Sequence, residues 1–137
     1  MSEAGKRIAV EAASVSPSRS SRGYPEPFAT RVAGRERRAL GDVFGLTNFG
    51  VNLTRLPPGC MSALRHTHMR EDELIYVLEG EPVLVTNSGE TALHPGMCAG
   101  FKAGSGDAHH LVNRSGRDAV YLEIGERIFV HHDGRPY

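Results

Sequence analysis

The 137 residues are enough for one domain with its own core and too few for two ordinary ones. Lys plus Arg and Asp plus Glu number 16 each, so there is no overall field to recruit nucleic acid or an anionic membrane. No stretch approaches the roughly 18 apolar residues of a membrane helix, and the N-terminus lacks the apolar core of a signal peptide, so the expectation is a cytoplasmic protein.

In chain order, residues 1–23 are rich in Ser, Ala and Arg, and SVSPSRSSRG has nothing to bury, which predicts an extended N-terminal arm that is flexible or docked on a partner. Residues 24–137 form the predicted single domain. Its entry segment, YPEPF from Tyr24 to Phe28, carries two prolines and suits an extended edge. The charged stretch GRERRAL is the only stretch that suggests a helical turn, but it is short, and solvated basic side chains are its favoured reading. From Leu46 onward the pattern is strand after strand: LTNFGVNLTRL, MSALRHTH, ELIYVL, PVLVT, ETAL, MCAGF, AHHLVN and VYLEI, with turn residues between them. A turn signal about every 8 to 12 residues indicates an all-β sandwich or barrel. Asn87-Ser88-Gly89 reads as a hairpin turn with Gly in a left-handed position, and Pro95-Gly96 and Ser115-Gly116-Arg117 mark later corners. Cys60 and Cys98, the two cysteines, sit in apolar strand-like contexts and are expected to be free, small buried hydrophobes.

The stretch GCMSALRHTHMREDELIYVLEG, Gly59 to Gly80, carries the chemistry. His66 and His68 are two apart, so on a strand their rings leave one face. Glu73 follows the polar break MRED and opens the apolar run LIYVL, and a hairpin there returns its carboxylate beside the two imidazoles. Two imidazoles and a carboxylate make a metal-ligand set, although a His-x-His pair alone also fits a solvated strand face. Period-2 phasing places Ser62 and Leu64 with the histidines, Ile75 and Val77 with Glu73, and Leu111 and Asn113 with His109, a mostly apolar interior with polar groups at one end. The opposite face of ELIYVL presents Leu74, Tyr76 and Leu78 and is too apolar for open water, so a homodimer is expected, with the N-terminal segment contributing to its interface.

His66-x-His68, four residues, Glu73, six residues and Gly80 together resemble the first motif of the cupins, small jelly-roll barrels with a metal in the mouth. Gly96 through Asn113 resembles the second motif, with His109 three residues before Asn113. The resemblance spans roughly residues 46–125. It implies a cupin-type double-stranded β-helix (jelly-roll) barrel in which His66, His68, Glu73 and His109 hold a divalent metal. Of the neighbours His109 and His110, the spacing to Asn113 and the motif select His109 and leave His110 outward. His94, His131 and His132 have no partner pattern and read as exposed. Further, the chain is similar to small stand-alone cupins of unassigned function. Some are labelled transcriptional-regulator-like, but no helix-turn-helix pattern is present here. Departures are one extra residue between Gly59 and His66, at the far end of the strand, and, at the rim, Lys102 where the family has Pro and a longer loop, KAGSGDA, before His109.

Three imidazoles and one carboxylate suit Fe, Mn, Ni, Co, Cu or Zn alike. A divalent ion with one Glu keeps a charge near +1 and favours small anionic or chelating oxygen ligands. No separate base or nucleophile stands out. Ser62 and Cys60 lie further back on the ligand strand, and Tyr121, Asp107 and Lys102 read as surface residues that offer rim contacts at most. Two function classes follow. One is a metal-dependent enzyme, dioxygenase-like or isomerase/lyase-like, acting on a small organic acid or polyol-like substrate. The other is a non-catalytic module binding a sugar or organic acid, with the metal structural or absent.

Overall fold

The computed structural model describes residues 8–17, 34–62, 71–106 and 108–125. Among them are eight strands: β1 Glu36–Ala39, β2 Gly50–Leu56, β3 Glu73–Glu79, β4 Val83–Thr86, β5 Gly89–Ala92, β6 Cys98–Phe101, β7 His110–Val112 and β8 Ala119–Gly125. All pair antiparallel, in a five-stranded sheet of order β1-β2-β8-β3-β6 and a three-stranded sheet of order β5-β4-β7. Two antiparallel sheets closed over one core make the all-β barrel that the strand pattern predicts, in the jelly-roll form that the resemblance implies.

The core lies between the sheets. Leu56, Ile75, Val77, Phe101, Ala119 and Tyr121 of the large sheet meet Leu84 and Leu111 of the small one, with Leu93 from the connection after β5. Period-2 alternation sets this. β2 buries Asn52, Thr54 and Leu56, and β8 buries Ala119, Tyr121 and Glu123, in the rows Asn52–Glu123, Thr54–Tyr121 and Leu56–Ala119. The expected turn joins β4 to β5: Thr86 pairs with Gly89, whose φ is +125°, and the Thr86 hydroxyl accepts the Ser88 N–H at 3.2 Å. Leu74, Tyr76 and Leu78 lie on the outer face of β3 and are about two-fifths exposed.

Two expectations need correction. GRERRAL forms the strand β1 rather than a helical turn, and the helical turn nearby is the 3₁₀ turn Gly41–Phe44 that follows it. The charges of β1 are met across the sheet: Arg37 Nε lies 3.2 Å from Glu123 Oε1, and Arg55 of β2 forks onto Glu36 at 2.8 and 3.1 Å. Tertiary pairing therefore overrides the solvated reading of the basic run. Cys98, expected to be buried, is exposed on the outer face of β6, whereas Cys60 is half-buried; both are free. YPEPF, His131 and His132 lie outside the described residues, as does the predicted arm except for 8–17. There a 3₁₀ turn at Ala12–Ser14 leads to Val15, whose carbonyl accepts from Arg38 at 2.9 Å. No helix among the described residues is long and apolar enough to cross a membrane.

Candidate metal centre

Glu73 opens β3 and pairs in register with Phe101 of β6, which puts both side chains on the inner face at one end of the large sheet. His109 comes immediately before β7, on the small sheet. Closing the barrel stacks its imidazole on the Phe101 ring, with centroids 3.6 Å apart and planes 1° from parallel. This contact fixes the ring plane and aims Nε2 at Glu73 Oε1, 2.9 Å away across a sequence separation of 36 residues. Both side chains are nearly sealed from water, at 6% and 11% exposure.

The spacing can be read in two ways. It is that of an imidazole–carboxylate hydrogen bond, and it is also that of neighbouring ligands on one ion, since donors about 2.1 Å from a metal at right angles lie about 3 Å apart. One nitrogen and one carboxylate oxygen, buried and convergent, are a donor set that fits a divalent transition metal. The other two expected ligands, His66 and His68, fall in residues 63–70, outside the described residues. The chain enters that segment beside His109's strand, where Met61 bridges Val112 and the Ser62 N–H reaches the Leu111 carbonyl at 2.8 Å. It leaves at Glu71, two residues before Glu73. Among the described residues no group of three or more His, Cys, Asp and Glu gathers at metal-binding distance.

Of the remaining histidines, His94 is exposed as expected, and His110 is half-buried and paired with Val85. Lys102 is exposed at the rim and Asp107 lies outside the described residues. Asp72 caps the rim loop by accepting the Ala103 N–H at 2.9 Å. An open cavity of about 700 Å³ at this end of the large sheet is lined by Asp72, Glu73, Phe101 and Lys102 together with Phe49, Leu74 and Ile124, and His109 is not part of its wall.

Sequence reading placed Tyr121 at the surface, and the structure corrects this: it is wholly buried on the inner face of β8. Burial pushes its phenol well above the ordinary range, and the Glu123 carboxylate adds to the shift. Around it lies a polar set that the sequence did not reveal. Glu123 Oε1 accepts from Thr54 Oγ1 at 3.3 Å and pairs with Arg37, and Arg35 reaches the carbonyl of Ser62. The only signal available was the two-residue spacing of Arg35 and Arg37, which is visible only once that stretch is read as a strand.

Residues 52–125 match the family model described as the cupin domain. Among solved structures, a sugar phosphate isomerase from a cupin superfamily, of Silicibacter pomeroyi, is 43% identical with a TM-score of 0.81, covering 87% of this chain and 75% of that one. A protein of Acidithiobacillus ferrooxidans provisionally described as a sugar phosphate isomerase is 34% identical with a TM-score of 0.64, covering 68% of this chain, which spans 59% of that one. A predicted oxalate decarboxylase from Thermotoga maritima, at 23% identity and a TM-score of 0.67, covers 87% of this chain and 98% of that one, a likeness of fold. Among curated proteins nothing matches.

Proposed function

The chain belongs to the cupin family, and on that premise we propose that it is a metal-dependent enzyme whose barrel mouth takes a small anionic, oxygen-rich substrate of the sugar phosphate class. The observation that carries this reading is the buried contact of 2.9 Å between His109 Nε2 and Glu73 Oε1, donors brought together from opposite sheets. His66 and His68 complete the proposed ligand set, for Zn, Fe, Mn or Ni. When bound, such an ion supplies Lewis-acid polarisation of a substrate carbonyl or hydroxyl oxygen.

The chain's own residues bind and orient. Phe101 holds the His109 ring in one plane, and Glu73 fixes which nitrogen faces inward. Arg37 on the inner face of β1 and Arg35 just before that strand stand toward the barrel interior, engaged by Glu123 and by the Ser62 carbonyl. The names of the similar proteins from Silicibacter and Acidithiobacillus support the sugar phosphate class.

The test is elemental analysis of protein purified without an affinity tag, beside His109→Ala and Glu73→Gln variants, followed by NMR of phosphorylated aldoses incubated with each. About one divalent ion per chain, lost in both variants together with interconversion of the sugar, is the expected result. A metal-free protein even after reconstitution overturns the metal reading. Metal and sugar binding without turnover leaves a non-catalytic binding barrel.

A further inference from the structure

We propose that the Tyr121 hydroxyl is a ligand-binding group that holds a substrate oxygen inside the barrel, on the side of the candidate centre formed by Thr54, Arg37 and Glu123. The inference deepens the reading above, because it rests on the barrel interior taking an oxygen-rich anionic molecule.

Tyr121 is fully buried, and its hydroxyl has no hydrogen-bond partner among the described residues. Buried polar groups that lack partners are uncommon in folded proteins and destabilise them. The ring belongs to the apolar core cluster with Leu56 and Val77, a place that phenylalanine would fill equally well. The neighbouring polar groups of the inner face are engaged. Thr54 and Arg37 meet Glu123, Arg35 meets the Ser62 carbonyl, and the Ser62 hydroxyl accepts the Leu111 N–H at 2.9 Å. The phenol is thus a polar group that the fold leaves without a partner, at a place where packing does not require one.

Its surroundings point to the ligand. Thr54 and Arg37 stand in the same cross-strand row as Tyr121, and Glu123 in the next row toward Glu73. Arg35, Arg37, Glu123 and Glu73 all act on the phenol electrostatically. Burial keeps it protonated, so it can donate one hydrogen bond and accept another. A hydroxyl of a polyol offers both partners, whereas a phosphate oxygen offers only an acceptor.

The experiment uses the full chain reconstituted with zinc, and a Tyr121→Phe variant prepared in the same way. Glycerol phosphate is the probe, with glycerol and inorganic phosphate as separate arms to identify which part of the ligand the phenol holds. Metal content, ligand-free melting temperature and the dissociation constant of each probe are measured. In the variant we expect unchanged zinc, a ligand-free melting temperature raised by about 3 °C because the orphan hydroxyl is gone, and binding of glycerol phosphate weakened at least about ten-fold. A lower ligand-free melting temperature in the variant overturns the proposal, since the hydroxyl would then be satisfied within the fold. Equal binding by both proteins overturns it as well, while leaving the sugar phosphate reading intact. A wild-type protein that binds none of the three probes removes both.

Discussion

Asn113 is wholly buried, and its amide ties three pieces of chain together. Nδ2 donates to the carbonyls of Leu56 and Arg117 at 2.8 and 2.7 Å, while Oδ1 accepts from the N–H and hydroxyl of Ser115 at 3.0 and 2.7 Å. Asn113→Ala leaves two carbonyls and a turn unsupported and should lower stability by about 3 kcal/mol in urea unfolding. Asn113→Asp should cost more, because a carboxylate would then face two carbonyl oxygens. Tyr121 carries the pH dependence. Its folded pKa is raised above the ordinary 10.0, so the protonated phenol contributes stability that is present below about pH 10 and is lost as pH rises toward the folded value. Wild-type unfolding free energy should therefore fall above that pH by up to about 1.4 kcal/mol per unit more steeply than that of Tyr121→Phe. Subtracting the two curves removes the other titrating groups. The face to which Tyr121 belongs could not be read from sequence. Along VYLEI the outward residues Val120, Leu122 and Ile124 are all apolar and the inward ones include Glu123, so hydrophobicity alone points the strand the wrong way. Burial of Glu123 depends on Arg37 and Thr54, partners 86 and 69 residues earlier that no local pattern reveals.

At the level of elements, β2 through β8 were legible as strands because apolar, strand-forming runs are bounded by turn residues, and Glu73 and His109 were legible by their place in motifs. β1 was not, since ERRA has neither alternation nor β-branched residues and becomes a strand only through the partners that β2 and β8 supply. The β3 end is held by a close approach. At Gly80, φ is +82° and an added Cβ would lie 2.5 Å from the Asp118 carbonyl oxygen and 2.7 Å from Ala119 Cα, next to the register shift between Val77 and Glu79. Gly80→Ala should cost roughly 3 kcal/mol or fail to fold, read by thermal melting, because strain and clash add. On the small sheet, Arg114 forks onto Glu90 at 2.6 and 2.7 Å and holds that carboxyl below its usual range. The small stabilisation it gives is present above the ordinary Glu range and is lost as pH falls through the lowered value. Arg114→Ala should return the Glu90 titration, followed by NMR, to the ordinary range with little change in melting temperature, since the pair is exposed.

On the scale of the whole molecule, the outer face of the large sheet is the surface from which a homodimer is expected. Val51–Ile124–Leu74–Gly100 and Leu53–Leu122–Tyr76–Cys98 are two cross-strand rows, four strands wide, without a charged side chain. We propose a second copy as the occupant, because a two-fold pairing of this face sets apolar rows against apolar rows, with the charges of Arg38 and Glu79 at its margins. Sedimentation should find a dimer in the wild type and a monomer with an unchanged circular dichroism spectrum in Tyr76→Glu; a monomeric wild type overturns it. Another consequence concerns synthesis. β8, the last described strand along the chain, is the central one of its sheet, hydrogen-bonded to β2 on one side and β3 on the other. While the polypeptide emerges from the ribosome, β2 and β3 therefore wait with unpaired edges until Ala119–Gly125 appears. The sheet cannot assemble stepwise from its N-terminal end, and a nascent chain stalled before β8 is a natural client for a chaperone.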